Sequence, residues 1–140
     1  MIQLPEFEIR GIDVPSSKNS QVWTGERLVH SSFVQKWKRK TRKSWEVLTP
    51  SFLKAINDLG VKPIYYIEFT FIRRTKATFD FINMAQIIQD SMVKFGWITD
   101  DDARNIKPYF GDPILDRKNP GIKIKLLKDK PIHYDTIKYK

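Results

Sequence analysis

Hydrophobic and polar positions alternate, then cluster, in a way that predicts a mixed chain. KPIYYIEFTFIRR, residues 62–74, is rich in aromatic and β-branched residues and predicts a long strand, central in a sheet. FEIRGIDV (7–14) and GIKIKLL (121–127) alternate and predict two more strands, the second closing the sheet. VWTGERLVHS (22–31) has strand-forming residues on both sides of Gly25, which predicts a short hairpin. PSSKNSQ (15–21) between them reads as a loop.

From Ser32 the period changes to that of a helix. Phe33, Trp37, Thr41, Trp45 and Leu48 recur at helical spacing and are expected to face the core. Lys36, Lys38, Arg39, Lys40, Arg42 and Lys43 take the other sides. Thr49 and Pro50 then read as the N-cap and first residue of a second, short helix ending before Gly60. A further helix is expected from about Ile82 to Phe95, with Gly96 placed to end it. On its wheel Met84, Ile87, Ile88, Ser91 and Phe95 form a core side, while Asn83, Gln86, Gln89 and Asp90 point away. The expected fold is therefore α+β, a single domain with a mixed sheet packed against helices. It spans residues 1–127, with a C-terminal tail of no clear period from 128 to 140.

Composition adds a partner class. In 140 residues, 25 Lys and Arg stand against 16 Asp and Glu, a formal net charge of +9, which points to a polyanion. Cysteine is absent, so disulfides and thiolate zinc sites are excluded. No apolar run approaches the roughly 20 residues that a bilayer requires, and no secretory signal is read at the N-terminus, so the expected location is cytoplasmic. Within this basic chain Asp90, Asp100, Asp101 and Asp102 lie close together in sequence. A basic body around an acidic focus suits a metal-dependent nuclease: the body draws in phosphates and the carboxylates hold a cation.

The segment DFINMAQIIQDSMVKFGWITDDDA (80–103) resembles the core motif of the RusA family of Holliday junction resolvases, and PSSKNSQ resembles that family's Pro-Ser-Lys-Asn loop. The resemblance covers most of the chain up to about Leu127. It implies a RusA-like fold, a homodimer, branched DNA such as a four-way junction as substrate, and Mg2+ as cofactor. Carried over by position, Asp80, Asp90 and Asp101 are the expected catalytic residues, with Asp80 and Asp101 as metal ligands and Asn83 on the family's asparagine. Two positions depart: Ile82 replaces an expected aspartate and Gln86 an expected lysine. An isoleucine cannot coordinate magnesium, and a glutamine cannot supply the positive charge that a lysine offers to a phosphate. Lys18 and Asn19 of the loop, Lys38, Arg39, Arg42 and Lys43 of the basic helix, and Arg73 and Arg74 at the strand end form the expected DNA-contacting set.

Each of these residues also has a purely structural reading. Asp80 suits a helix N-cap, the three consecutive aspartates suit a solvated turn, and the basic helix suits an ordinary wet surface. Two function classes stand beside the nuclease: a structure-selective DNA-binding protein without cleavage, and an RNA-binding protein whose resemblance is architectural.

Overall fold

Side-chain alternation in residues 65–73 sets the architecture: Tyr65, Ile67, Phe69 and Phe71 are buried, while Tyr66, Glu68 and Thr70 between them are half-exposed. A strand so patterned needs one covered face, and its backbone groups need neighbouring strands to pair with. The computed structural model, which describes residues 4–16, 21–23, 28–30, 32–77 and 80–131, supplies both. In chain order its elements are β1 (Glu6–Arg10), β2 (Gln21–Trp23), β3 (Leu28–His30), α1 (Ser32–Leu59), β4 (Tyr65–Arg73), α2 (Phe81–Lys94), β5 (Ile106–Phe110), β6 (Ile114–Leu115) and β7 (Gly121–Leu127).

Five strands form one mixed sheet in the order β1-β7-β4-β5, with β6 continuing the pairing along β4. β7 is antiparallel to β1 and to β4, where Phe69 faces Ile124. β5 is parallel to β4, from Tyr65↔Ile106 to Phe69↔Phe110. Parallel neighbours require a crossover, and α2 is that crossover. β2 and β3 pair separately as the expected hairpin. β1 and β7 approach so closely at Gly121 that a Cβ there would run into the Ile9 carbonyl, so only glycine fits. The molecule is thus a small α+β domain. None of the helices among the described residues is long and apolar enough to cross a membrane.

The core lies between the sheet and the helices. Trp37, Trp45 and Phe52 of α1 meet Met84, Ile88 and Met92 of α2 over Phe7, Ile67, Phe69 and Ile124 of the sheet. Trp97 pins these layers together: its ring stacks on Phe52 at 4.2 Å and meets Trp45 edge-on at 5.1 Å. Its placement follows from the end of α2. Gly96 takes φ +82, its N–H donates to the Val93 carbonyl at 3.2 Å, and that of Trp97 donates to the Met92 carbonyl at 2.8 Å. This is a Schellman turn, which folds the residue after the glycine back onto the helix.

Two sequence expectations need correction. The helix does not stop at Thr49; α1 runs through Pro50 as one element of 28 residues. An interior proline costs about 3 kcal/mol. Trp45 and Phe52, on either side of it, are both fully buried, and burial of such a ring contributes about 1.5–3 kcal/mol. Half-buried Ile56 and Leu59 prolong the same stripe, so continuity outweighs the lost hydrogen bond. Thr49 is accordingly no cap; its hydroxyl donates to the Trp45 carbonyl at 2.7 Å and accepts from the Trp97 indole at 2.7 Å. The second correction is Phe33, which is 74% exposed, while Val34 takes the core position. At 100° per residue the buried row of Val34, Trp37, Thr41, Trp45 and Phe52 is centred roughly 90° from Phe33 and roughly 10° from Val34.

Candidate active site

Asp80 precedes α2 in an extended conformation, φ −102 and ψ 110. Its Oδ1 accepts from the backbone N–H of Ile82 at 3.0 Å and of Asn83 at 3.3 Å. Its Oδ2 accepts from Asn83 Nδ2 at 2.9 Å. Both carboxylate oxygens are therefore engaged at the first turn: Oδ1 satisfies two backbone donors that a helix start leaves without partners, and Oδ2 holds the Asn83 side chain. Ile82, in the same turn, is 73% exposed.

Further along α2, the wheel places Asn83, Gln86 and Asp90 on one face, as expected. Gln86 Nε2 donates to Asp90 Oδ1 at 2.8 Å, an i,i+4 contact, and to Asp101 Oδ2 at 2.8 Å. Two carboxylates from distant parts of the sequence thus converge on one amide nitrogen, and their oxygens lie no more than two hydrogen-bond lengths apart. Asp80 stands six residues before Gln86, roughly 9 Å of helix rise. The structure joins Asp90 to Asp101, and assigns Asp80 to the helix start.

The three consecutive aspartates divide their work. Asp100 Oδ1 accepts from the Asp101 N–H at 2.8 Å, which orients the next residue toward α2. Asp102 braces the turn: its Oδ2 accepts from Arg104 Nη2 at 2.7 Å, and its Oδ1 from Asn105 Nδ2 at 2.9 Å. The Arg104 hydrogen bond, followed by that of Asn105, holds the Asp102 carboxyl below its ordinary value. The Asp102 carbonyl also accepts from the N–H groups of Asn105 and Ile106, which leads the chain into β5. For Asp102 the structural reading of the acidic run holds, and Asp101 is the member turned to the α2 face.

A cleft of about 580 Å³ opens beside Asp101, with Tyr66, Gln89, Lys107 and Lys130 among its lining residues. Lys107 is exposed and also lies 6.0 Å over the Tyr109 ring. Neither lysine was picked out from sequence. Lys107 belongs to IKPYF, whose central proline masks its strand character, and Lys130 falls in the aperiodic tail.

The expected DNA-contacting residues are distributed unevenly. Arg39, Arg42 and Lys43 are exposed on α1 and Lys38 is half-exposed; Arg42 Nε pairs with Glu46 at 3.0 Å. Arg74 is exposed, whereas half-buried Arg73 directs Nη1 toward Met84 Sδ at 3.7 Å. Lys18 and Asn19 lie outside the described residues.

Magnesium takes oxygen donors in near-octahedral geometry, keeps several waters and is commonly held by only one or two carboxylates. Asp90 and Asp101, with the Gln86 carbonyl oxygen available on rotation of the amide, form a donor set of that kind. Among the described residues no group of three or more His, Cys, Asp or Glu side chains is spaced to hold a metal, so the fit is to a two-carboxylate position. No family model matches the chain, and no curated protein matches it.

Proposed function

We propose that this protein is a RusA-like, magnesium-dependent endonuclease that acts on branched DNA as a homodimer. The observation that carries this reading is the convergence of Asp90 and Asp101 on Gln86 Nε2. In the absence of a cation, the glutamine amide offsets the repulsion between the two carboxylates by donating to both. Asp90 and Asp101 would hold the ion, which supplies Lewis-acid polarisation of a phosphoryl oxygen and eases deprotonation of water. Gln86 must swing its N–H groups away to admit the ion, and can then offer its carbonyl oxygen. Lys107 and Lys130, beside Asp101, attract the phosphate and offset its charge, the task of the lysine expected at position 86. Asp80 and Asn83 fix the start of α2 and so the aim of Gln86 and Asp90. The exposed cations of α1 add sequence-independent attraction for the backbone.

A second reading, a structure-selective DNA-binding protein without cleavage, is favoured by a different observation. Both Asp80 oxygens are engaged at the helix start and Ile82 offers no ligand beside them. Incubation of a synthetic four-way junction with and without magnesium separates the two readings: strand cuts dependent on the ion support the nuclease. Tight junction binding without cuts supports the second reading. Preference for RNA over both junction and duplex would remove both.

A further inference from the structure

Phe33, displaced from the core row, forms part of a cleft of about 430 Å³ at the start of α1. Its other walls include Val14 and Pro15 after β1, Lys36 one turn along α1, and Arg74 beyond the end of β4. A lone exposed aromatic is ordinary. Phe33 is different because two cations border the same cleft. Among the described residues neither Lys36 nor Arg74 forms an ion pair. The acid in the cleft, Asp13, is engaged by the Arg74 backbone N–H at 3.2 Å. No acidic side chain occupies the first turn of α1. On the helical wheel Phe33, Lys36, Lys40 and Lys43 fall within an arc of roughly 80°, so the aromatic heads a row of cations about one turn apart.

An aromatic face followed by a cationic track is the chemistry that binds unpaired nucleotides, the base stacking on the ring and the backbone following the charges. We propose that the cleft takes one unpaired nucleotide of a DNA strand, its base on Phe33 and its phosphate between Lys36 and Arg74, with the strand continuing past Lys40 and Lys43. The inference rests on the branched-DNA reading for its class of partner, since unpaired nucleotides occur where duplex arms meet. It requires neither metal nor cleavage.

Fluorescence anisotropy with labelled oligothymidylate, a four-way junction and a linear duplex, all in EDTA, tests it. Phe33→Ala should weaken oligothymidylate and junction binding about tenfold while leaving duplex affinity unchanged, and Phe33→Trp should restore both. Because the side chain is exposed, circular dichroism of Phe33→Ala should match that of the parent protein. Unchanged affinities in Phe33→Ala, or an equal loss on duplex, would overturn the inference while leaving the branched-DNA reading intact. Binding of oligouridylate more tightly than oligothymidylate would overturn the assignment to DNA. Failure of the unsubstituted protein to bind the junction would overturn the parent reading and this inference with it.

Discussion

Asp101 reaches from the turn after α2 to accept a hydrogen bond from Gln86 Nε2 at 2.8 Å, the same nitrogen that donates to Asp90. A glutamine at this position places a neutral donor where two negative groups meet. Gln86→Ala removes that donor, and the net loss of one or two hydrogen bonds should cost about 0.5–2 kcal/mol. In thermal melts without added metal the variant should unfold a few degrees below the parent. Millimolar magnesium should then raise its Tm by more than it raises the parent's, because no amide competes for the carboxylates. Equal magnesium shifts in the two proteins would contradict a shared cation position.

The N-cap role of Asp80 is separable from chemistry by substitution. Asp80→Ala should destabilise the fold by about 1 kcal/mol in urea titrations, whereas Asp80→Ser, which keeps an acceptor for the backbone N–H groups, should stay close to the parent. A serine variant as unstable as the alanine variant would mean that the contacts at Oδ1 contribute little.

Much of the fold was legible because its signals are local. The aromatic and branched residues of β4, the clean alternation of β7, and the Gly96 stop of α2 are each written in a few adjacent residues. What the sequence concealed depended on distant partners. Pro50 reads as a helix start, and only the burial of Trp45 and Phe52 against Trp97 makes the helix continuous. β5 was missed because Pro108 interrupts it, although it pairs in parallel with β4. The polar face of α2 was correctly placed by its period. Periodicity alone does not distinguish Asp100, Asp101 and Asp102; the family resemblance singled out Asp101, which is the member that meets Gln86, while the Arg104 and Asn105 contacts hold Asp102 in the turn.

The bond from the Trp97 indole to Thr49 Oγ1 at 2.7 Å joins a buried ring, only 2% exposed, to a half-buried hydroxyl. Thr49→Val keeps the shape and leaves the indole N–H without that acceptor, so stability should fall by about 1–3 kcal/mol. Thr49→Ser should recover most of the loss. Urea denaturation followed by tryptophan fluorescence checks both, and a valine variant as stable as the parent would contradict the role given to the hydroxyl.

Acid stability carries a contribution from Asp102. Its carboxyl is held below the ordinary value by Arg104, so the stabilisation is present above the unfolded carboxylate range and is lost as pH falls through the lowered folded value. Arg104→Met should move the Asp102 titration midpoint up toward that of an ordinary aspartate, as read by carboxyl-carbon NMR. An unmoved midpoint would leave Asn105 and the Arg104 backbone N–H as the groups that hold it down.

On the proposed reading, Asp90 and Asp101 together hold a divalent cation for cleavage of branched DNA. Its most direct test is the rate at which an end-labelled four-way junction is cut by the parent protein and by Asp101→Asn, side by side in magnesium and in EDTA. The expected result is cutting by the parent in magnesium alone and a loss of at least about a hundredfold in Asp101→Asn, since losing one ligand carboxylate removes several kcal/mol of transition-state stabilisation. Cutting that persists in EDTA, full activity in Asp101→Asn, or no cutting by the parent protein would rule out a nuclease built on this carboxylate pair.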